Sequence, residues 1–196
     1  MVPTFVTQCL SMRTVLLALV IELPVLDVIR ERGSIRRYQS RSIPKDELLK
    51  ILEAATLAQS ASNRQPWQFI VVTDSAMKER LVEAARNQSF VSEAAAVIVC
   101  LAKLKESAKV GPFDSFLVDL AIAVENMALT AWDLGIGSCW IGAFSEEKVK
   151  RLLGIPEDLR VVSLLTLGYP AEKPSAKRRK AIQEIFYYER YGQGEG

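Results

Sequence analysis

The chain has 196 residues, of which 49% are hydrophobic and only 10 are Gly and 8 are Pro, a composition that suits one compact globular domain. Its formal net charge of +2, from 25 basic and 23 acidic residues, is too small for a broad nucleic-acid-binding surface. It contains no histidine, which excludes Ser-His-Asp catalysis, Cys-His catalysis and histidine metal sites, so any reactivity is expected to come from a cofactor.

The cysteines are Cys9, Cys100 and Cys139, which are scattered and lack metal-ligand spacing. An odd number of isolated thiols indicates a reducing compartment without a disulfide framework. We therefore expect buried, unreactive thiols, no bound metal and a cytoplasmic protein.

The beginning of the chain is interpreted as an N-terminal extension, residues 1–22, before a single domain of residues 23–196. The apolar run Val15 to Leu26 is interrupted by Glu22 and Pro24, and it is too short for a membrane span of about 20 residues. Arg13 and the apolar residues after it imitate a signal peptide, but no clear cleavage site of small residues follows. An additional element or an extended start site is favoured over an export signal, and no membrane partner is expected.

The first candidate motif follows a short helix that should begin near Pro24 and end near Arg32-Gly33. If the next residues are extended, Arg32, Ser34 and Arg36 lie on one face. Two guanidinium groups and one hydroxyl would then converge on an anion such as a phosphate. The alternative is that both arginines are solvated charges at a helix end.

The second candidate motif connects a helix that Pro44 opens to a strand at Phe69–Thr73. It contains small and amide side chains, namely Gln59, Ser60, Ala61, Asn63 and Gln65, followed by Pro66 and Trp67. Because Pro66 biases Gln65 towards extended geometry, we expect a stiff connection whose amides can recognise the edge of a heterocycle. The alternative is an ordinary polar loop with Trp67 in the core.

The middle of the chain contains a predicted helix from Asp74, as N-cap, to about Arg86, and a buried strand at Ala94–Ala102. Gln88 lies in the turn between them, where the sequence alone suggests an exposed turn amide. Residues 103–115 form a polar, lysine-rich break that contains Gly111-Pro112.

The longest predicted helix is Phe116–Leu134, and it is apolar on most sides. Its expected core face consists of Leu117, Leu120, Ala121, Val124, Ala128 and Ala131. A helix of this kind requires burial on two sides, and in a domain this small a subunit interface is the natural second surface.

The glycine-rich run Gly135–Gly142 imitates a dinucleotide-binding motif, but a helix precedes it where that motif needs a strand. Gly135 is instead expected to end the helix, with Trp140, Ile141 and Gly142 beyond it.

The last part of the chain has a predicted helix N-cap at Ser145 and a predicted strand at Val161–Leu167. Residues 173–180 carry five cations, including Lys177 and Arg179. This cluster is either a solvated tail or a patch that binds nucleic acid.

Four segments, in this order, resemble motifs of the FMN-dependent nitroreductase family. They are the Arg32-x-Ser34-x-Arg36 segment, the run from Ser60 to Phe69 reading SASNRQPWQF, the Trp140-Ile141-Gly142 segment, and Gly168-Tyr-Pro170 followed by Lys177-x-Arg179. The resemblance spans about residues 23–191, although Gln59 stands where the family usually has proline. It implies an α+β fold, with a central, mainly antiparallel sheet of four or five strands flanked by helices, in an interlocked homodimer with two FMN sites at the interface.

The resemblance also implies which residues hold FMN. Arg32, Ser34, Lys177 and Arg179 would bind its phosphate, Arg36 would stabilise negative charge near N1 and O2, and the Gly142 N–H would lie near N5, with no side chain acting as the catalytic group. The full implied set is Arg32, Gly33, Ser34, Arg36, Gln59, Ser60, Ala61, Asn63, Gln65, Gln88, Trp140, Ile141, Gly142, Lys177 and Arg179.

The implied activity transfers electrons from NADH or NADPH through FMN to a small organic acceptor, such as a nitroaromatic or a quinone, with ping-pong kinetics. One alternative is a non-enzymatic FMN carrier or sensor. Others are a flavin-fragmenting or dehalogenating relative, and a flavin-free module that uses the Lys177–Lys180 cluster to bind nucleic acid.

Overall fold

A four-stranded antiparallel sheet lies at the centre of the structure, a computed structural model that describes residues 25–175 and 178–194. The strands in chain order are β1 (Trp67–Val72), β2 (Ala96–Lys103), β3 (Lys109–Val110), β4 (Phe113–Asp114), β5 (Gly137–Ile141) and β6 (Leu159–Gly168). The central sheet has the order β1-β2-β6-β5, while β3 and β4 form a separate short hairpin. The predicted α+β fold with a central antiparallel sheet flanked by helices is confirmed. The expected extension at residues 1–22 lies outside the described residues.

Six helices surround the sheet in the described part of the chain: α1 (Val25–Glu31), α2 (Lys45–Thr56), α3 (Ser75–Ala84), α4 (Phe90–Glu93), α5 (Phe116–Asp133) and α6 (Glu146–Leu153). Both predicted N-caps are present, since Asp74 Oδ1 accepts from the Met77 N–H (2.8 Å) and Ser145 Oγ from the Lys148 N–H (3.4 Å). Gly135 follows α5 with φ of 74°, the left-handed conformation common after helices. None of the described helices is long and apolar enough to cross a bilayer.

Strand β2 separates two hydrophobic cores. Its alternate side chains point to opposite faces of the sheet, so Val97, Val99 and Leu101 pack in the core beneath α3, α4 and α6. Ile98 and Cys100 pack in the second core, beneath α2 and α5. The molecule is therefore a three-layer structure with a strand buried on both faces at its centre.

The core face predicted for α5 is partly wrong. Leu117 and Ala121 are exposed, whereas Ala123 and Met127 are fully buried. Because apolar residues occur on almost every side of this helix, the sequence pattern does not fix which side turns inward. The exposed residues leave an apolar strip on the outer surface of α5.

The two cysteines in the described part of the chain, Cys100 and Cys139, are both buried and form no disulfide. Burial raises the pKa of the Cys100 thiol to about 12. This thiol is therefore protonated at neutral pH and unreactive, as the sequence predicts.

Candidate functional site

The segment that follows α1 is fixed against the edge of the sheet. The Ile35 N–H donates to the Ser138 carbonyl of β5 (2.9 Å), and the Ile35 side chain is completely buried. The Tyr38 hydroxyl donates to the Ile35 carbonyl and also lies 2.7 Å from Thr166 Oγ1. Burial raises the pKa of Tyr38 above its ordinary value, so the hydroxyl remains a donor. These contacts hold the neighbouring Ser34 in place.

Arg32, Gly33 and Ser34 line one side of a cleft of about 400 Å³, and Pro174 and Arg179 line the other. The structure thus brings Arg32, Ser34 and Arg179 together, while Lys177, which the resemblance places with them, lies outside the described residues. A Cβ added at Gly33 would overlap Pro174, so glycine allows the two walls to approach this closely.

The charge of this cleft suits an anion. Its charged lining residues are Arg30, Glu31, Arg32 and Arg179, three cations against one carboxylate. The Arg32 side chain is 23% exposed, and its Nε lies 3.4 Å from Glu125 Oε1, which leaves its other guanidinium N–H groups for a ligand. Guanidinium forks and a hydroxyl are the donors that a phosphate group requires.

Arg36 is not part of the cleft lining, in contrast to the expectation of three converging side chains. Its guanidinium lies 6.0 Å from the Phe90 ring centroid, and its backbone N–H donates to Glu172 Oε1 (2.8 Å). Ile35, buried between Ser34 and Arg36, directs the chain away from the cleft and towards α4. Arg36 thus lies near a second group of predicted residues.

This second group forms where α4 meets the end of β5. Gln88 Nε2 donates to the Ala85 carbonyl (2.8 Å) and to the Ala143 carbonyl (3.1 Å), so this amide lies beside Gly142. Ile141 is buried in the sheet, Trp140 is half-exposed, and Gly142 is exposed with free space around it. The Gly142 backbone is therefore accessible to a planar ligand.

The loop between α2 and β1 has a strained conformation. Ser62, Asn63 and Gln65 have φ values of 53°, 54° and 50°, which non-glycine residues adopt rarely. The prediction that Pro66 keeps Gln65 extended is wrong, because the Gln65 N–H donates to Ser60 Oγ (3.0 Å) and draws this residue into the left-handed region. The Gln65 side chain also donates to Asn63 Oδ1 (3.1 Å), so both predicted amides are ordered by each other.

Asp119 is a polar residue of this region that the sequence reasoning missed. It lies on α5 and is 3% exposed, with Oδ1 accepting from the Ala61 N–H of the loop (2.9 Å) and Oδ2 from the Ser115 hydroxyl (2.7 Å). The sequence offered one indication of this role: Asp119 lies one turn into an apolar helix, four residues after Ser115.

Gln59, Ser60 and Ala61 line a mainly apolar cavity of about 370 Å³ together with Phe113 and Val118. No lining residue is shared between this cavity and the arginine cleft. Within one chain, the predicted site residues therefore fall into separate groups.

The fold and the arginine-lined cleft define a three-layer α+β domain with a cleft suited to an anionic group. The sequence matches the family model described as the nitroreductase family over residues 29–114 and 85–169. This chain belongs to the nitroreductase family.

Known relatives agree with this assignment. A protein of Archaeoglobus fulgidus, provisionally named NADH dehydrogenase/NAD(P)H nitroreductase, is 43% identical over 152 residues, covering 76% of this chain and 86% of that protein. The crystal structure of a nitroreductase family protein from Clostridium novyi has a TM-score of 0.74 and 36% identity, covering 88% of this chain and 97% of the other. The NADPH:FMN oxidoreductase of Vibrio harveyi, solved with NAD⁺, has a TM-score of 0.78 and 27% identity, covering 87% and 79%.

Proposed function

We propose that this chain is an FMN-dependent oxidoreductase that takes electrons from NADH or NADPH and delivers them to a small organic acceptor. The observation that carries the proposal is the convergence of Arg32, Ser34 and Arg179 on one cleft, which gives a phosphate group its donors. The name of the Vibrio harveyi relative, an NADPH:FMN oxidoreductase, supports the same cofactor and donor.

FMN, when bound, supplies hydride acceptance from a nicotinamide and electron donation to an acceptor, chemistry that no side chain of this histidine-free protein offers. The protein contributes binding and electrostatics. Arg32, Ser34 and Arg179 hold the phosphate, together with Lys177, which lies outside the described residues. The exposed Gly142 backbone gives the ring system room to approach, and Arg36 provides positive charge on the same side of the sheet.

The active form is a homodimer. In the described part of the chain, the cavity lined by Gln59, Ser60 and Ala61 is separate from the arginine cleft, and a loop from a second chain would bring these residues to a cofactor held in the cleft. The exposed apolar residues Leu117 and Val118 on α5 provide a surface for the partner. Since one cleft serves donor and acceptor in turn, ping-pong kinetics are expected.

The test is the visible absorption spectrum of the purified protein, after reconstitution with FMN if necessary and before and after anaerobic NADH or NADPH. A flavin spectrum that bleaches, and that returns when a nitroaromatic or a quinone is added, is the expected result. Bound flavin that never bleaches would identify a carrier, and a protein that cannot be loaded with FMN would overturn the proposal. Sedimentation analysis of the loaded protein checks the dimer.

A further inference from the structure

Among the described residues, Asp119 is the only carboxylate that is hydrogen-bonded to the strained Ser60–Gln65 loop, and it accepts from the Ala61 N–H. Its other oxygen is bound by Ser115, and the Ser115 hydroxyl in turn accepts from the Ala108 N–H (3.1 Å) before the β3–β4 hairpin. One buried carboxylate thus connects the loop, helix α5 and the base of the hairpin.

The loop needs such a support. Three of its residues have left-handed φ angles, and such conformations persist only where surrounding contacts hold them. Its internal contacts, Gln65 N–H to Ser60 Oγ and Gln65 to Asn63, involve exposed residues and tie the loop only to itself. The Asp119 contact, by comparison, is part-buried and comes from a buried side chain on a helix packed in the core.

We infer that Asp119 is a positioning residue for cofactor binding: it fixes the Ala61 N–H, and through it the Ser60–Gln65 loop, in the conformation that meets FMN. This inference rests on the proposed function, because the loop must contact the cofactor for its position to matter. In this role Asp119 acts through the Ala61 N–H and takes no part in the electron transfer itself.

Four variants test this role, each titrated as flavin-free protein with FMN while flavin fluorescence is followed. Asp119→Ala removes the acceptor of the Ala61 N–H and is expected to weaken FMN binding about tenfold or more. Asp119→Asn keeps an oxygen for Ala61, and its amide can donate to Ser115, so its FMN affinity should stay within about threefold of wild type.

Ser115→Ala is the matched control. It removes the contact to the other Asp119 oxygen and the acceptor of the Ala108 N–H but leaves the Ala61 contact intact. It should lower the thermal unfolding midpoint and yet keep FMN affinity within about threefold of wild type.

Ala61→Pro removes the donor without altering α5 and covers the case in which Asp119→Ala does not fold. Ser60 is extended, with φ of −145° and ψ of 158°, and Ala61 begins a 3₁₀ turn, positions where proline is accepted. This variant should lose FMN affinity by at least about tenfold, as Asp119→Ala does.

The outcomes distinguish the inference from the proposed function. If the wild-type protein does not bind FMN, the proposed function fails. If it does, and Asp119→Ala or Ala61→Pro binds FMN as wild type does, the positioning role is wrong. Equal losses of affinity in Asp119→Ala and Ser115→Ala would also overturn it, because they would reflect general destabilisation.

Discussion

Replacing Arg32 by alanine is the most direct test of the arginine cleft. The Arg32 side chain is 23% exposed, so its hydrogen bonds to a phosphate would be only partly screened by water. A hydrogen bond to a charged group contributes about 1.5–3 kcal/mol, and about 1.4 kcal/mol corresponds to a tenfold change in affinity. We therefore expect Arg32→Ala to weaken FMN binding about tenfold or somewhat more.

The same variant should fold normally. The partner of Arg32, Glu125, is 52% exposed and 3.4 Å away, and an ion pair this open contributes at most about 1 kcal/mol to folding. Arg30→Ala is a suitable control, because Arg30 lines the same cleft but is 66% exposed and already paired with Asp27 (3.0 Å).

The assay is a titration of the flavin-free variants with FMN, followed by the quenching of flavin fluorescence. Arg30→Ala should bind within about threefold of wild type. Wild-type affinity in Arg32→Ala, or an equal loss in both variants, would refute the assignment of this cleft to the phosphate.

Three further predictions concern folding. Gly33→Ala should lower the free energy of unfolding by about 1–3 kcal/mol in urea titrations, because the added Cβ overlaps Pro174. A variant as stable as wild type would mean that the cleft walls move apart freely. The raised pKa of Tyr38 favours its protonated form in the folded state, so wild-type stability should fall as pH rises above the ordinary value of 10.0. Tyr38→Phe should lack that part of the decrease when thermal unfolding midpoints are measured between about pH 9 and 11. The same slope of midpoint against pH in the wild type and the variant would contradict this. Asp74→Ala removes a helix cap and should cost about 1 kcal/mol by thermal unfolding, while Ser89→Ala, whose side chain makes no cap bond, should be nearly neutral.

Local features were predictable from the sequence. Asp74 and Ser145 cap their helices as expected, because a cap depends on neighbouring residues only. The Ala94–Ala102 run could be identified as a buried strand because continuous apolar residues suit a strand covered on both faces. Strand β5 was missed, since the glycines of Gly137–Gly142 suggest a connection rather than a strand.

Features that depend on tertiary contacts were harder to predict. The spacing of Arg32, Ser34 and Arg36 left solvated charges as an alternative, and only the family resemblance linked Arg32 to Arg179. The inward rotation of α5 and the burial of Asp119 follow from packing against the sheet, which a nearly uniform apolar helix does not encode. The left-handed Gln65 results from a hydrogen bond to Ser60, and this contact overrides the local effect of Pro66.

The arginine cleft is made from two distant parts of the chain, residues 29–34 on one side and Pro174, Ser175 and Arg179 on the other. During translation its first wall leaves the ribosome early and its second wall only after β6, the strand that joins β2 to β5. A chain that ends before β6 therefore has neither a complete sheet nor both walls of the cleft. If FMN is held in this cleft, as proposed, its loading requires the complete chain, and shortened products would be left in the flavin-free form.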